Sequence, residues 1–138
     1  MILALAGGVG GAKLANGFAK SLSPDQLLIV VNTGDDFKHF GFPISPDLDT
    51  VTYTLAGMSN TTAGWGLAGE SWQFMNALER LGGEGWFRLG DQDLATHVMR
   101  AAWLGEGQNL SDVTANITKR LGILHSIVPM SDQQVQTF

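Results

Sequence analysis

Residues 1–31 read MILALAGGVGGAKLANGFAKSLSPDQLLIVV, and their pattern decides the fold. A short apolar run, residues 2–6, ends in Gly7-Gly8. Runs of this length without polar alternation suit strands buried in a parallel sheet. Residues 12–22 then place Leu14, Phe18 and Leu22 four apart, on one helix face. Ser23-Pro24-Asp25 stops that helix. Residues 27–31 (LLIVV) make a second buried strand, closed by Asn32-Thr33-Gly34. Strand, glycine-rich turn, helix, strand is a βαβ unit, right-handed by default.

Further along, residues 33–50 (TGDDFKHFGFPISPDLDT) read as a loop carrying four Asp and one Lys, a local charge of −3. So long a connection in a compact domain is usually functional. Residues 51–56 alternate as a strand would, yet Asp47 or Asp49 could cap a helix and Gly57 could end it; the balance favours helix. The chain is helix-rich after residue 66. Residues 70–81 put Trp72, Met75, Leu78 and Leu81 on one face, with Gly82 beyond. Residues 94–104 follow Asp93 as N-cap and bury Leu94, Val98, Ala101 and Leu104. Residues 111–121 take Ser111 as cap, with Asp112 in the first turn, Lys119 and Arg120 in the last, and Gly122 after them. Residues 126–130 suit one more strand. The text stops at Thr137-Phe138 without a closing helix or polar tail, which predicts an incomplete chain.

Composition narrows the class. The 138 residues suit one domain, and 44% hydrophobic content supports a packed core. Eight basic against thirteen acidic residues leave a charge of −5 and no basic patch, so neither nucleic acid nor an anionic membrane is an expected partner. The longest apolar run is too short to span a bilayer, and no basic residue precedes the first one as a signal peptide would require. The absence of cysteine removes disulfides, thiolate nucleophiles and Cys-bound metals, and fits a cytoplasmic protein.

Three features could carry chemistry. Gly7, Gly8, Gly10 and Gly11 stand between the first strand and helix, where backbone can approach a phosphate and the helix N-terminus attracts it. The alternative is a tight strand-to-helix turn. The run is not a P-loop, because Lys13 follows Ala12 and Leu14 stands where a Ser or Thr would hold magnesium; nor is it the dinucleotide fingerprint. Acid pairs come second: Asp35-Asp36, Asp47 with Asp49, and Asp91 with Asp93. Carboxylates beside a bound phosphate imply a cation between them, and magnesium commonly takes one or two carboxylates plus phosphate oxygens. Helix capping is the competing explanation, favoured for Asp93 and evenly matched for Asp47 and Asp49; for Asp35-Asp36, function is favoured, with a ribose hydroxyl as the other possible partner. Third, Asn60 with Gly64-Trp65-Gly66 could present a ring for stacking, or Trp65 could simply cover the core. His39, His97 and His125 have no metal-site spacing.

Taken in order, GGVGGAKLA, VNTGDD, ISPDLDTVTYTLAG, GWG, LGDQDLATH, LSDVT and PMSD closely resemble the 2-phospho-L-lactate transferase family of coenzyme F-420 biosynthesis. Members are roughly twice this long, so residues 1–138 would be the N-terminal portion of a single α/β transferase domain. The resemblance implies a Rossmann-like fold, a mostly parallel sheet flanked by helices. It also implies a magnesium-dependent transfer of a phospholactyl group, or its phosphoenolpyruvyl analogue, from a GDP-linked donor to the hydroxyl of the deazaflavin precursor Fo, releasing GMP. Gly8, Gly10 and Gly11 would line the diphosphate. Asp49, with one of Asp35, Asp36 and Asp47, would hold magnesium or orient the acceptor hydroxyl. Thr33, Asn60 and Trp65 would border the deazaflavin, with Asp91, His97 and Arg100 near the cleft. A homodimer is possible, and a half-sheet with an apolar face would tend to associate. The competing readings are a nucleotide-sugar-binding regulator of the same fold and a nicotinamide dehydrogenase.

Overall fold

The computed structural model describes residues 1–134, so the chain end at Thr137-Phe138 lies outside the described residues. Strands β1 (Ile2–Ala6), β2 (Leu27–Val31) and β5 (Ser126–Pro129) form a parallel sheet in the order β1-β2-β5. Ala4 pairs with Ile29, and Ile29 with Ile127. Helix α1 (Gly8–Ser21) joins β1 to β2 through a 3-10 turn at Pro24–Gln26. Helices α3 (Gln73–Arg80), α4 (Asp91–Gly105) and α5 (Leu110–Arg120) come later in the chain. The expected α/β architecture is present.

The region read as a loop holds structure. A hairpin of β3 (Phe37–His39) and β4 (Phe42–Ile44) fills its middle, and α2 (Pro46–Leu55) begins inside it. Three-residue strands give too short a pattern to read. Phe40 and Gly41 form the connection, both at positive φ (51° and 79°), as a two-residue hairpin turn demands. Residues 51–55 are therefore helical, as favoured, with Ala56 as the C-cap, but the helix starts five residues early on Pro46, a residue suited to the first turn.

One face of the sheet builds the main core. Ala4, Ala6, Leu27, Ile29, Val31 and Ile127 meet Ala12 and Ala15 of α1 and Leu48 and Val51 of α2. The fully buried stripe of α1 therefore runs through small residues, Phe18 and Leu22 pack against the core as expected, and Leu14, also expected inside, is exposed. Gly11 explains the choice: a Cβ there would stand 3.0 Å from the Ala6 Cα, so glycine and alanines let α1 lie close on β1. On β1 the opposite face is exposed, while Leu28 and Val30 of β2 are partly buried there. Leu3 and Leu5 are 57% and 72% exposed, whereas their neighbours Ala4 and Ala6 are buried. The reading of β1 as a strand buried on both faces thus holds for one face only. A second cluster, Ile44, Met75 and Leu89, packs with Phe42, Phe74 and Leu94 between the hairpin and α3 and α4.

Several helix boundaries move for one reason, that caps come from unforeseen positions. Helix α3 starts after Trp72 and ends at Arg80, leaving Leu81 86% exposed. Helix α4 starts at Asp91, so Asp93 lies inside its first turn and is not its cap, and Val98 faces solvent. Helix α5 is capped by Asn109, whose side chain accepts from the Asp112 amide at 2.8 Å, while Ser111 bonds Asp132. No helix among the described residues is long and apolar enough to cross a membrane.

Gly11→Ala should lower stability by about 1–3 kcal/mol in urea denaturation of the full-length protein, because the added methyl meets backbone that cannot give way. Gly10→Ala, which adds its methyl to open space, should cost nothing or stabilise by about 0.5–1 kcal/mol.

Candidate functional site

Asn32 stands just past the end of β2 and organises the turn beyond it. Its Oδ1 accepts from the Gly34 amide (3.0 Å), closing that turn. Its Nδ2 donates to Asp35 Oδ2 (3.1 Å) and to Asp47 Oδ2 (2.9 Å), so one amide nitrogen spaces two carboxylates. Asp47 also faces Gly7, where a Cβ would stand 3.4 Å from Asp47 Oδ2. The ends of β1 and β2 and the first turn of α2 therefore meet at one point, next to the start of α1. The N-cap of α1 is Gly7, which brings no side chain to its first turn. Backbone donors and the positive end of the helix dipole favour an anion there. Gly8 adopts φ +64°, and among the described residues neither Gly8 nor Gly10 has a neighbour where a side chain would be. Gly10 and Gly11 lie inside α1 and not in a loop before it, and Gly11 is committed to packing.

The two acids of PDLD part company. Two residues on a helix are about 200° apart. Asp47 turns to Asn32, and Asp49 turns into the protein, with Leu48 between them in the core. Arg100 of α4 grips the buried Asp49: Nη2 donates to Oδ1 and Nη1 to Oδ2 (3.3 Å). Nη1 also lies 3.3 Å from His97 Nδ1, which makes that nitrogen an acceptor. The ring proton then sits on Nε2 and is donated to Asp93 Oδ2 (3.0 Å). The Tyr53 hydroxyl donates to Asp93 Oδ1 (2.6 Å). Burial pushes the Asp49 carboxyl up, opposed by the Arg100 guanidinium. Burial acts the same way on Asp93, but its bonds from His97 and Tyr53 hold it below the usual range. Burial and both carboxylates hold the Tyr53 phenol protonated. Asp36 points elsewhere, accepting from Ser45 Oγ (2.8 Å), and burial raises its carboxyl to about 6.

Asp49, Asp93 and His97 offer ligand atoms within 4.8 Å of one another. A cation there would compete with a guanidinium bonded to both Asp49 oxygens and with the His97 and Tyr53 bonds that occupy both Asp93 oxygens. The trio therefore works as a hydrogen-bonded link between α2 and α4. Asp35 and Asp47, turned outward, are the better placed pair for a cation.

Beside this link opens a cavity of about 760 Å³, lined by Lys13, Asp49, Tyr53, Asn60, Trp65, Trp72 and His97 among others. Asn60 shapes its loop: Oδ1 accepts from the amides of Thr62 (3.1 Å) and Ala63 (3.0 Å). Trp65 is 55% exposed and its ring centroid lies 6.1 Å from that of Trp72, over which Arg88 stands at 4.7 Å. Exposed rings beside polar groups suit a flat ligand. Thr33 is buried, with no hydrogen-bond partner for its hydroxyl among the described residues.

Asp91 has a different task. It accepts from Ser71 Oγ (2.7 Å) and from the amides of Gln73 (3.0 Å) and Phe74 (2.9 Å), capping α3 from the start of α4. Glu70, which no sequence motif singles out, accepts from the amides of Gln92 (2.9 Å) and Asp93 (3.1 Å) and caps α4 in return. A Cβ on Gly90 would fall 2.3 Å from the Glu70 side chain, so glycine there is the sequence signal for this approach.

The family model of 2-phospho-L-lactate transferase CofD matches residues 2–138. The chain is 43% identical over 138 residues to a phosphoenolpyruvate transferase of Kitasatospora aureofaciens, covering 99% of the chain and 43% of that protein. It is 40% identical over 138 residues to a 2-phospho-L-lactate transferase of Methanocorpusculum labreanum, covering 100% of the chain and 45% of that protein. The chain thus spans less than half the length of these relatives.

The bonds from Phe74, Ser71 and Gln73 hold the Asp91 carboxyl below its ordinary 3.8. A carboxylate with a lowered folded value stabilises above the unfolded value and loses that effect as pH falls through the folded one. Urea denaturation of the full-length protein should therefore show Asp91→Ala destabilised at pH 7, with the gap to wild type shrinking below pH of about 3.8. A gap of equal size at pH 7 and pH 3 would rule out the charged cap.

Proposed function

This chain belongs to the 2-phospho-L-lactate transferase CofD family, and on that premise we propose the activity of the whole protein. It moves a phospholactyl or phosphoenolpyruvyl group from a GDP-linked donor to the hydroxyl of Fo. The acceptor oxygen forms a bond to the phosphorus that carries the three-carbon acid, the bridging P–O bond breaks, GMP leaves, and the hydroxyl proton is lost. The observation that carries this reading is the meeting of Asp35, Asp47 and the open start of α1 at the ends of β1 and β2.

An anion seated on α1 would face two carboxylates, an arrangement that repels unless a cation lies between. The donor set fits magnesium: two carboxylates with no sulfur or histidine, leaving other positions for water and phosphate oxygens. Bound there, magnesium would neutralise charge on the diphosphate. The rest falls to the chain. Gly8 and Gly10 leave the backbone accessible to phosphate, and Asn32 sets the separation of the two acids. Asn60 and Trp65 hold the deazaflavin in the cavity. Asp49, the acid expected from the sequence to bind metal, has its oxygens committed to Arg100, so the ligand role passes to Asp47. Such a transfer needs alignment and charge neutralisation more than covalent help.

The test is a product assay on the full-length protein with Fo, magnesium and each GDP-linked donor, read by mass spectrometry. Phosphorylated deazaflavin and GMP, formed only with magnesium, are expected from one donor. Asp47→Asn and Asp35→Asn should each lower turnover by about a hundredfold or more without unfolding the protein. No product from either donor, together with a melting temperature raised by a UDP-sugar, would replace this reading with a ligand-binding regulator.

A further inference from the structure

The first turn of α2 carries the outward acid, yet its own cap does little to fix it: Ser45 makes no side-chain cap bond and spends its hydroxyl on Asp36. What holds the turn from inside is α4. Arg100, 2% exposed, binds both oxygens of Asp49 and reaches the Pro43 carbonyl at 3.5 Å, so one guanidinium ties β4 to the start of α2. Its orientation is set in turn by His97, itself braced by Asp93, which also accepts from Tyr53. Asp47 is two residues from the gripped acid, on the same rigid turn.

We propose that Arg100 is a positioning residue for the cation site: through Asp49 it fixes the turn of α2 that presents Asp47 beside Asp35. The inference rests on the reading that Asp35 and Asp47 hold the cation. A cation ligand held from behind by a buried bidentate pair has little freedom, and that rigidity matters most for magnesium. Magnesium demands near-ideal octahedral geometry at short distances, while calcium accepts irregular and larger shells. Loosening the turn should therefore weaken magnesium more than calcium. A loss of folded protein alone would lower both alike.

The experiment uses the full-length protein without substrates. Binding of Mn2+ is measured by electron paramagnetic resonance, and Mg2+ and Ca2+ affinities by competition against it. Asp47→Asn should abolish Mn2+ binding; if it does not, the cation reading itself fails. With that control in hand, Arg100→Lys, which keeps the charge but loses the planar fork, is expected to weaken Mg2+ by about tenfold or more and Ca2+ by distinctly less. Circular dichroism confirms that the variant is folded. Should Arg100→Lys not fold, Asp49→Asn is measured instead, since it keeps the side-chain shape and removes the charge that Arg100 grips; the same selective loss of Mg2+ is expected. A folded variant whose Mg2+ and Ca2+ affinities stay within about twofold of wild type, or fall together, overturns the positioning role.

Discussion

A buried guanidinium that must find its anion sets the terms for this structure. Arg100 is enclosed, and an unpaired charge in such a place costs several kcal/mol. Asp49 supplies the anion, so α4 has to lie against the first turn of α2. The pair adds little net stability, because removing two charges from water offsets most of their attraction. Its effect is on placement. The hairpin, the second core cluster and the cavity wall formed by Tyr53 and His97 all depend on where these two helices meet.

How much of this was legible in the sequence depended on how local each cause was. The βαβ unit showed plainly, because strands of five apolar residues and a fourteen-residue helix are long enough to display their periods. The hairpin did not, since three residues per strand give no pattern. Residues expected to bury sometimes did not: Leu14 faces out because the close approach of α1 to β1 selects alanine and glycine for the contact. Helix starts were misjudged wherever the cap came from elsewhere, as for α3, capped by Asp91, and α4, capped by Glu70. The site divides the same way. The acids were found, and His97 and Arg100 were placed near the cleft, but the pairings were not, because the Asp49–Arg100 and Tyr53–Asp93 contacts join residues 51 and 40 apart in the chain.

The outward and inward acids of one short motif show how a helix sorts function from support. In PDLD the alternation that looks like a pair becomes two opposite directions once wound. One carboxylate is left at the strand ends where an anion-favouring helix begins, and the other is spent on holding the first in place. The glycines sort likewise. Gly8 and Gly10 leave space, while Gly11 closes a gap between helix and strand. Similar residues in one run thus perform unlike tasks.

The exchange of caps between α3 and α4 has a dynamic consequence. Helix α4 cannot fray from its N-terminus without withdrawing Asp91, which caps α3, and the segment leading into α3 cannot move without withdrawing Glu70, which caps α4. The two should open as one cooperative unit, with amides of both helices exchanging hydrogen at matched rates under native conditions. Since the turns joined in this way border the cavity through Glu70, Trp72 and Asp93, opening of that wall would be an all-or-none event of the helix pair and not a gradual loosening of its loop.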